Sequence, residues 1–154
     1  MAADAIAGLP AYPPAIAEWE DLLVRLEIMP RALRAALEED GGGDAAAPLA
    51  MLLDREQRVG RWLEEAAFGS AESPAAGFDP GSDARWLAER FTAVRARNFA
   101  MVQRRGVDVW EWSGELDGVR VTVYQLLSWL MRSDAALLAA LRGPRLAADG
   151  VHAC

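Results

Sequence analysis

Three polar residues stand where apolar ones belong. Plotted at roughly 100° per residue, Glu56 falls in the middle of the stripe Leu49, Leu52, Leu53, Val59, Leu63, Ala67. Asn98 interrupts Leu87, Phe91, Val94, Met101, and Asp134 interrupts Val123, Leu127, Leu130, Leu137, Leu141. Two carboxylates turned towards one core are the raw material of acid–base chemistry, with Glu56 or Asp134 moving a proton and Asn98 positioning a substrate. The same residues also suit a satisfied polar network that fixes the register of helices. A buried carboxylate without a partner is costly, so positive charge must be near, and Arg34, Arg55 and Arg95 lie at the stripe edges. Nucleophilic catalysis through a histidine pair is not on offer within one chain, because the single histidine, His152, sits in the tail "DGVHAC". All 16 basic residues are arginine, which removes lysine Schiff-base chemistry.

The elements that must position these residues read as four helices. "PPAIAEWEDLLVRLEIMPRALRAALEED" repeats apolar residues at helical spacing, from Trp19 and Leu22 to Leu33 and Leu37. Pro13–Pro14 opens it, Pro30 should kink it, and "GGGD" ends it. A second helix is expected through "PLAMLLDREQRVGRWLEEAAF", with Asp44 as candidate cap unless Pro48 delays the start by a turn. The Gly-, Ser- and Pro-rich residues 69–82 read as a long crossover. A third helix follows in "SDARWLAERFTAVRARNFAMVQRR", capped by Ser82 or Asp83 and closed by Gly106. "VDVWEWSGELDGVRV" reads as a short irregular or extended connection, and Thr122 is the candidate cap of a fourth helix that stops at Gly143–Pro144. The expected fold is all-α, a four-helix bundle with a long crossover between the second and third helices. Residues 1–12 are expected as a loose arm, 13–143 as the bundle and 144–154 as a tail.

The totals narrow the class. The chain has 154 residues, is 53% hydrophobic and carries a net charge of -7, so it suits one domain with a real core. An acidic chain without a basic run is a poor nucleic-acid partner, since phosphate neutralisation dominates that affinity. No run of about 18 apolar residues and no cationic apolar leader is present, so no membrane partner is expected. Cys154 is the only cysteine, which excludes an internal disulfide and fits a cytoplasmic protein.

"GVRVTVYQLLSWLMRSDAALLAALR" resembles the last helix of the DinB-like (DinB/YfiT-like) superfamily, which reads roughly as glycine, a VTL-type start, then LL-x-H-x3-HD-x2-HL. "PLAMLLDREQRVGRWL" looks like that family's second helix, with its LAHL-x-D-x-E pattern, and "LLVRLEIMPRALRAALEE" is similar to its first. The resemblance covers about residues 15–142. It implies a DinB-like four-helix bundle, often a homodimer. It also implies, for many members, a divalent metal on three histidines that supports thiol-dependent transferase, isomerase or hydrolase activity. In this chain the positions matching those histidines are Met51, Trp129 and Ser133, and a fourth common position is Leu137. The acidic residues of the pattern are kept as Glu56 and Asp134. Thioether is a weak ligand for zinc or nickel and indole is none. No metal and no cofactor are therefore expected.

What replaces the histidines is an apolar and aromatic patch. Met51, Arg55 and Trp62 share one helix edge, and Thr122, Trp129 and Ser133 share another; facing edges would line one cleft. Three functions follow. The first is binding of a small, partly apolar molecule through Met51, Arg55, Trp129 and Ser133. The second is a metal-independent or diverged transferase or hydrolase using Glu56, Asp134 and Asn98. The third is a dimeric interaction protein, with Trp110 and Trp112 either on a partner surface or covering the end of the bundle. Elemental analysis of tag-free protein, before and after incubation with zinc and nickel, is expected to find no stoichiometric metal. A near-stoichiometric reading would reopen the metal-dependent chemistry.

Overall fold

The computed structural model describes residues 2–40, 45–69 and 83–151. Five α-helices and one small hairpin make up its regular structure: α1 (Ala3–Ala7), α2 (Ile16–Asp40), α3 (Ala46–Trp62), α4 (Ala84–Gln103), β1 (Ser113–Leu116), β2 (Val119–Thr122) and α5 (Val123–Val151). The chain is thus mostly helical, as its periodicity predicts. The hairpin lies in the stretch expected as a short irregular or extended connection, so the all-α reading broadly fits. It forms at Asp117–Gly118, where both residues have positive φ, 51° and 81°. An Asp-Gly pair adopts that backbone readily, and a tight two-residue hairpin turn needs it. The register pairs Leu116 with Val119 and Ser113 with Thr122.

Helix α2 packs on both α4 and α5, and α3 packs on α4. Pro48 lies in the first turn of α3, where its missing N–H is no loss, so it does not delay that helix. The candidate cap Asp44 lies outside the described residues, as do residues 70–82 of the expected crossover, and His152 and Cys154. Asp83 does cap α4, accepting from the Trp86 backbone N–H at 2.8 Å. The end of α3 widens into a π-helical turn, Leu63–Ala67. The hairpin seats directly on it: a Cβ added at Gly114 would fall 2.7 Å from the Ala66 backbone, so no other residue fits there. Helix α5 runs through Gly143–Pro144 to Val151, past the expected stop. A proline inside a helix removes a hydrogen bond without always ending it, and Pro30 inside α2 does the same.

Residues 1–12, expected as a loose arm, include a docked helix. Ile6 is fully buried against the main core. The dock depends on the start of α5. Thr122 and Gln125 form a reciprocal capping box: the Gln125 N–H donates to Thr122 Oγ1 at 3.1 Å, and the Thr122 N–H donates to Gln125 Oε1 at 2.9 Å. The remaining Gln125 amide donors reach the carbonyls of Ala7 and Leu9 at 3.1 and 2.8 Å, and Thr122 Oγ1 donates to Ala11 at 2.7 Å. Trp110 and Trp112 also turn inwards. Trp110 meets Trp19 edge-on at 5.8 Å and Trp112 meets Phe68 at 5.2 Å. They cover one end of the helices.

One side chain therefore holds a helix start and the N-terminal segment together. Gln125→Ala is expected to lower stability by about 2 kcal/mol and to speed amide exchange across residues 2–12 before the core opens. Unchanged exchange in that segment would show that the clasp contributes nothing.

Candidate functional site

The apolar core is split in two by a layer of charge. One cluster ends at Leu26, Val59, Met101 and Leu130, and the other begins at Met29, Leu53 and Phe91. Between them, one helical turn from each, lie Glu56, Arg95, Asn98 and Asp134, all buried. Arg95 is the centre. Its Nε and Nη2 donate to the two oxygens of Glu56 at 2.8 and 3.0 Å. Its Nη1 and Nη2 donate to Asp134 Oδ2 and Oδ1 at 3.0 and 3.2 Å. The last donor, on Nη1, reaches the Leu26 carbonyl at 3.0 Å. A guanidinium has five N–H donors, so none of them is left over. Burial pulls the Arg95 pKa down, but the charges of Glu56 and Asp134 and their hydrogen bonds outweigh it and raise it above the ordinary arginine value.

The Leu26 carbonyl is available for a reason written in the sequence. In a helix it would accept from the N–H four residues on, and that residue is Pro30, which has none. The helix that shows no polar interruption in its stripe thus contributes a backbone oxygen instead. Asn98 completes the layer, donating to the Glu56 backbone oxygen at 3.0 Å and to Glu56 Oε1 at 3.1 Å. Its side chain fits because Gly60 lies opposite: a Cβ there would fall 2.5 Å from Asn98 Oδ1.

Arg95 belongs at the middle of its helix face rather than at the edge where the stripe pattern puts it. The spacing Phe91, Arg95, Asn98, Val102 carries that signal, and all four are buried. Arg34 is exposed and takes no part. Arg55 does take part, with Nη2 donating to Asp134 Oδ1. Two guanidiniums thus neutralise two carboxylates. The bonding leaves every oxygen of Glu56 and Asp134 engaged. Glu56 is 0% exposed. A general acid or base must reach its substrate, and here both carboxylates are bound by arginine inside a layer that joins four helices.

Beside this layer, α3 and α5 frame an open groove of about 510 Å³, within the roughly 300–1,000 Å³ range of small-molecule sites. Met51, Arg55, Trp129, Ser133 and Leu137 all line it, with Pro48, Leu52, Asp54 and Arg58. Four residues expected at a cleft, from two separate stretches of sequence, therefore do meet. Trp62 and Thr122 do not join them. Trp62 is buried and donates to the Glu115 carbonyl at 3.1 Å, and Thr122 is taken up in the cap of α5. Met51 is 74% exposed at the rim. The Arg55 guanidinium lies over the Trp129 ring at 5.7 Å, within cation–π range. Ser133 Oγ donates to the Trp129 carbonyl at 3.0 Å. Met51, Trp129 and Ser133, the positions that the DinB-like pattern gives to metal ligands, offer a thioether, an indole and an engaged hydroxyl. That donor set does not fit a divalent metal.

Breaking a buried ion pair on one side leaves a charge stranded. Arg95→Met is expected to cost about 3–5 kcal/mol in denaturant unfolding. It also orphans the Leu26 carbonyl, which an N–H at position 30 can reach. Pro30→Ala should therefore stabilise the Arg95→Met protein more than the wild type, by about 1 kcal/mol in a double-mutant cycle. Simple additivity would refute the link between Pro30 and Arg95.

No family model, curated protein or solved structure matches the chain.

Proposed function

We propose that this chain is a DinB-like four-helix bundle, cytoplasmic and without the family's metal triad, that binds a small, partly apolar molecule in the groove between α3 and α5. The observation that carries this reading is the meeting of Met51, Arg55, Trp129 and Ser133 around one open space. Apolar walls with a few convergent polar groups are the general make-up of a small-molecule site. An aromatic face gives a flat apolar body a platform at low entropic cost. The four long helices and the positions at which Glu56 and Asp134 stand support the bundle assignment.

The binding reading is favoured over a metal-independent enzyme because the carboxylates are saturated. A transferase or hydrolase would need one of them free to exchange a proton with substrate, and both are held by Arg95. It is also favoured over an interaction protein built on Trp110 and Trp112, since both rings are half-buried and meet Trp19 and Phe68 edge-on within the chain.

Titration of the intrinsic fluorescence against a panel of small aromatic and aliphatic metabolites tests the proposal. A saturable change is expected with at least one apolar compound, and Trp129→Ala should abolish it. A response that survives Trp129→Ala would place binding elsewhere, and a flat response across the panel would remove the proposal.

A further inference from the structure

Asp134 is shared by two guanidiniums that are used very differently. Arg95 donates five hydrogen bonds. Arg55, on the same carboxylate, donates one. Its Nε is enclosed and has no acceptor, a condition that carries an unrelieved desolvation cost. The side chain is 15% exposed and edges the groove beside Trp129. Acceptors nearby in the chain are already committed: Asp134 is held by Arg95 as well, and Asp54 pairs with Arg58 at 2.8 Å. Arg58 lines the same groove. The opening thus holds two guanidiniums, Arg55 and Arg58, and one carboxylate, Asp54, which is taken by Arg58.

We infer that the groove's ligand carries a carboxylate on a flat apolar body, with Arg55 recognising the carboxylate and Trp129 supporting the body. This rests on the reading of the groove as a ligand site, and it names what that ligand must present. A carboxylate bound side-on across Nε and one Nη supplies the acceptor that Arg55 lacks, once the side chain turns that edge to the groove. The planar fork of arginine matches the two oxygens with two parallel bonds, which a neutral amide cannot accept in the same way. Arg58 also lies at the rim, but its charge is matched there by Asp54, so Arg55 is the cation on which recognition rests. The apolar walls at Pro48, Met51, Leu52 and Leu137 exclude a small, fully hydrated anion as the natural occupant, since nothing there replaces its water.

The test uses the full chain and two probes of equal shape, 2-naphthoate and its carboxamide, 2-naphthamide. Binding is followed by the indole N–H signals of the six tryptophans, with the Trp129 signal assigned by Trp129→Phe. The expected result is that naphthoate moves the Trp129 signal and binds roughly tenfold more tightly than naphthamide, a difference of about 1.4 kcal/mol. Arg55→Gln should erase that preference. Arg55→Lys, which keeps the charge but not the fork, should reduce it, and it decides the matter if the glutamine variant fails to fold. Equal binding of the two probes, or a preference that survives both substitutions, overturns the carboxylate assignment while leaving the groove as a ligand site. If neither probe moves the Trp129 signal, both readings fall.

Discussion

A single buried guanidinium is the constraint around which the helices are arranged. Arg95 must find five acceptors in a space without water, because each donor left over would cost part of what burial gains. It finds two on α3, two on α5 and one on α2. Those acceptors can be reached together only in one register of the four long helices. Apolar contacts alone are less particular, since a hydrophobic face tolerates sliding by a turn far better than a hydrogen-bonded fork does. The charged layer offers little net stability over a well-packed apolar one. Its geometric demand is stricter than that of the two apolar clusters on either side of it.

The groove follows from the same layer. Asp134 lies at the edge of the network nearest the gap between α3 and α5, and it draws Arg55 in from the groove side. Arg55 in turn lies over Trp129. The inner end of the groove is therefore a polar anchor on an aromatic plate, tied to the element that sets helix register.

Much of this was legible in the chain. Polar residues at the centres of apolar stripes marked Glu56, Asn98 and Asp134 as buried, because periodicity reports which way a side chain faces. The Met51, Arg55, Trp129 and Ser133 grouping could be drawn from two helix edges. Other elements were not legible, each for a physical reason. Arg95 looked peripheral because an arginine at a stripe boundary usually extends to solvent, and only three acceptor-bearing neighbours make its burial tolerable. The role of Pro30 was hidden because a stripe plot records side chains, and the group Pro30 releases is the backbone oxygen of Leu26. The N-terminal segment looked loose because its anchors are carbonyls, which every residue has; the specific partner, Gln125, lies more than a hundred residues away.

The sequence by itself determined the helical character, the positions of most elements and the identity of the polar residues that face inwards. Those properties depend on spacing along one chain, and 3.6-residue periodicity expresses them locally. Only the tertiary structure decided who pairs with whom. It made Glu56 and Asp134 partners of one arginine, sent Trp62 and Thr122 to structural tasks, and left Arg55 with an enclosed, unpartnered Nε beside the groove. Pairing depends on distances between segments far apart in sequence, and a desolvated charge settles that choice through its partners in space, not its neighbours in the chain.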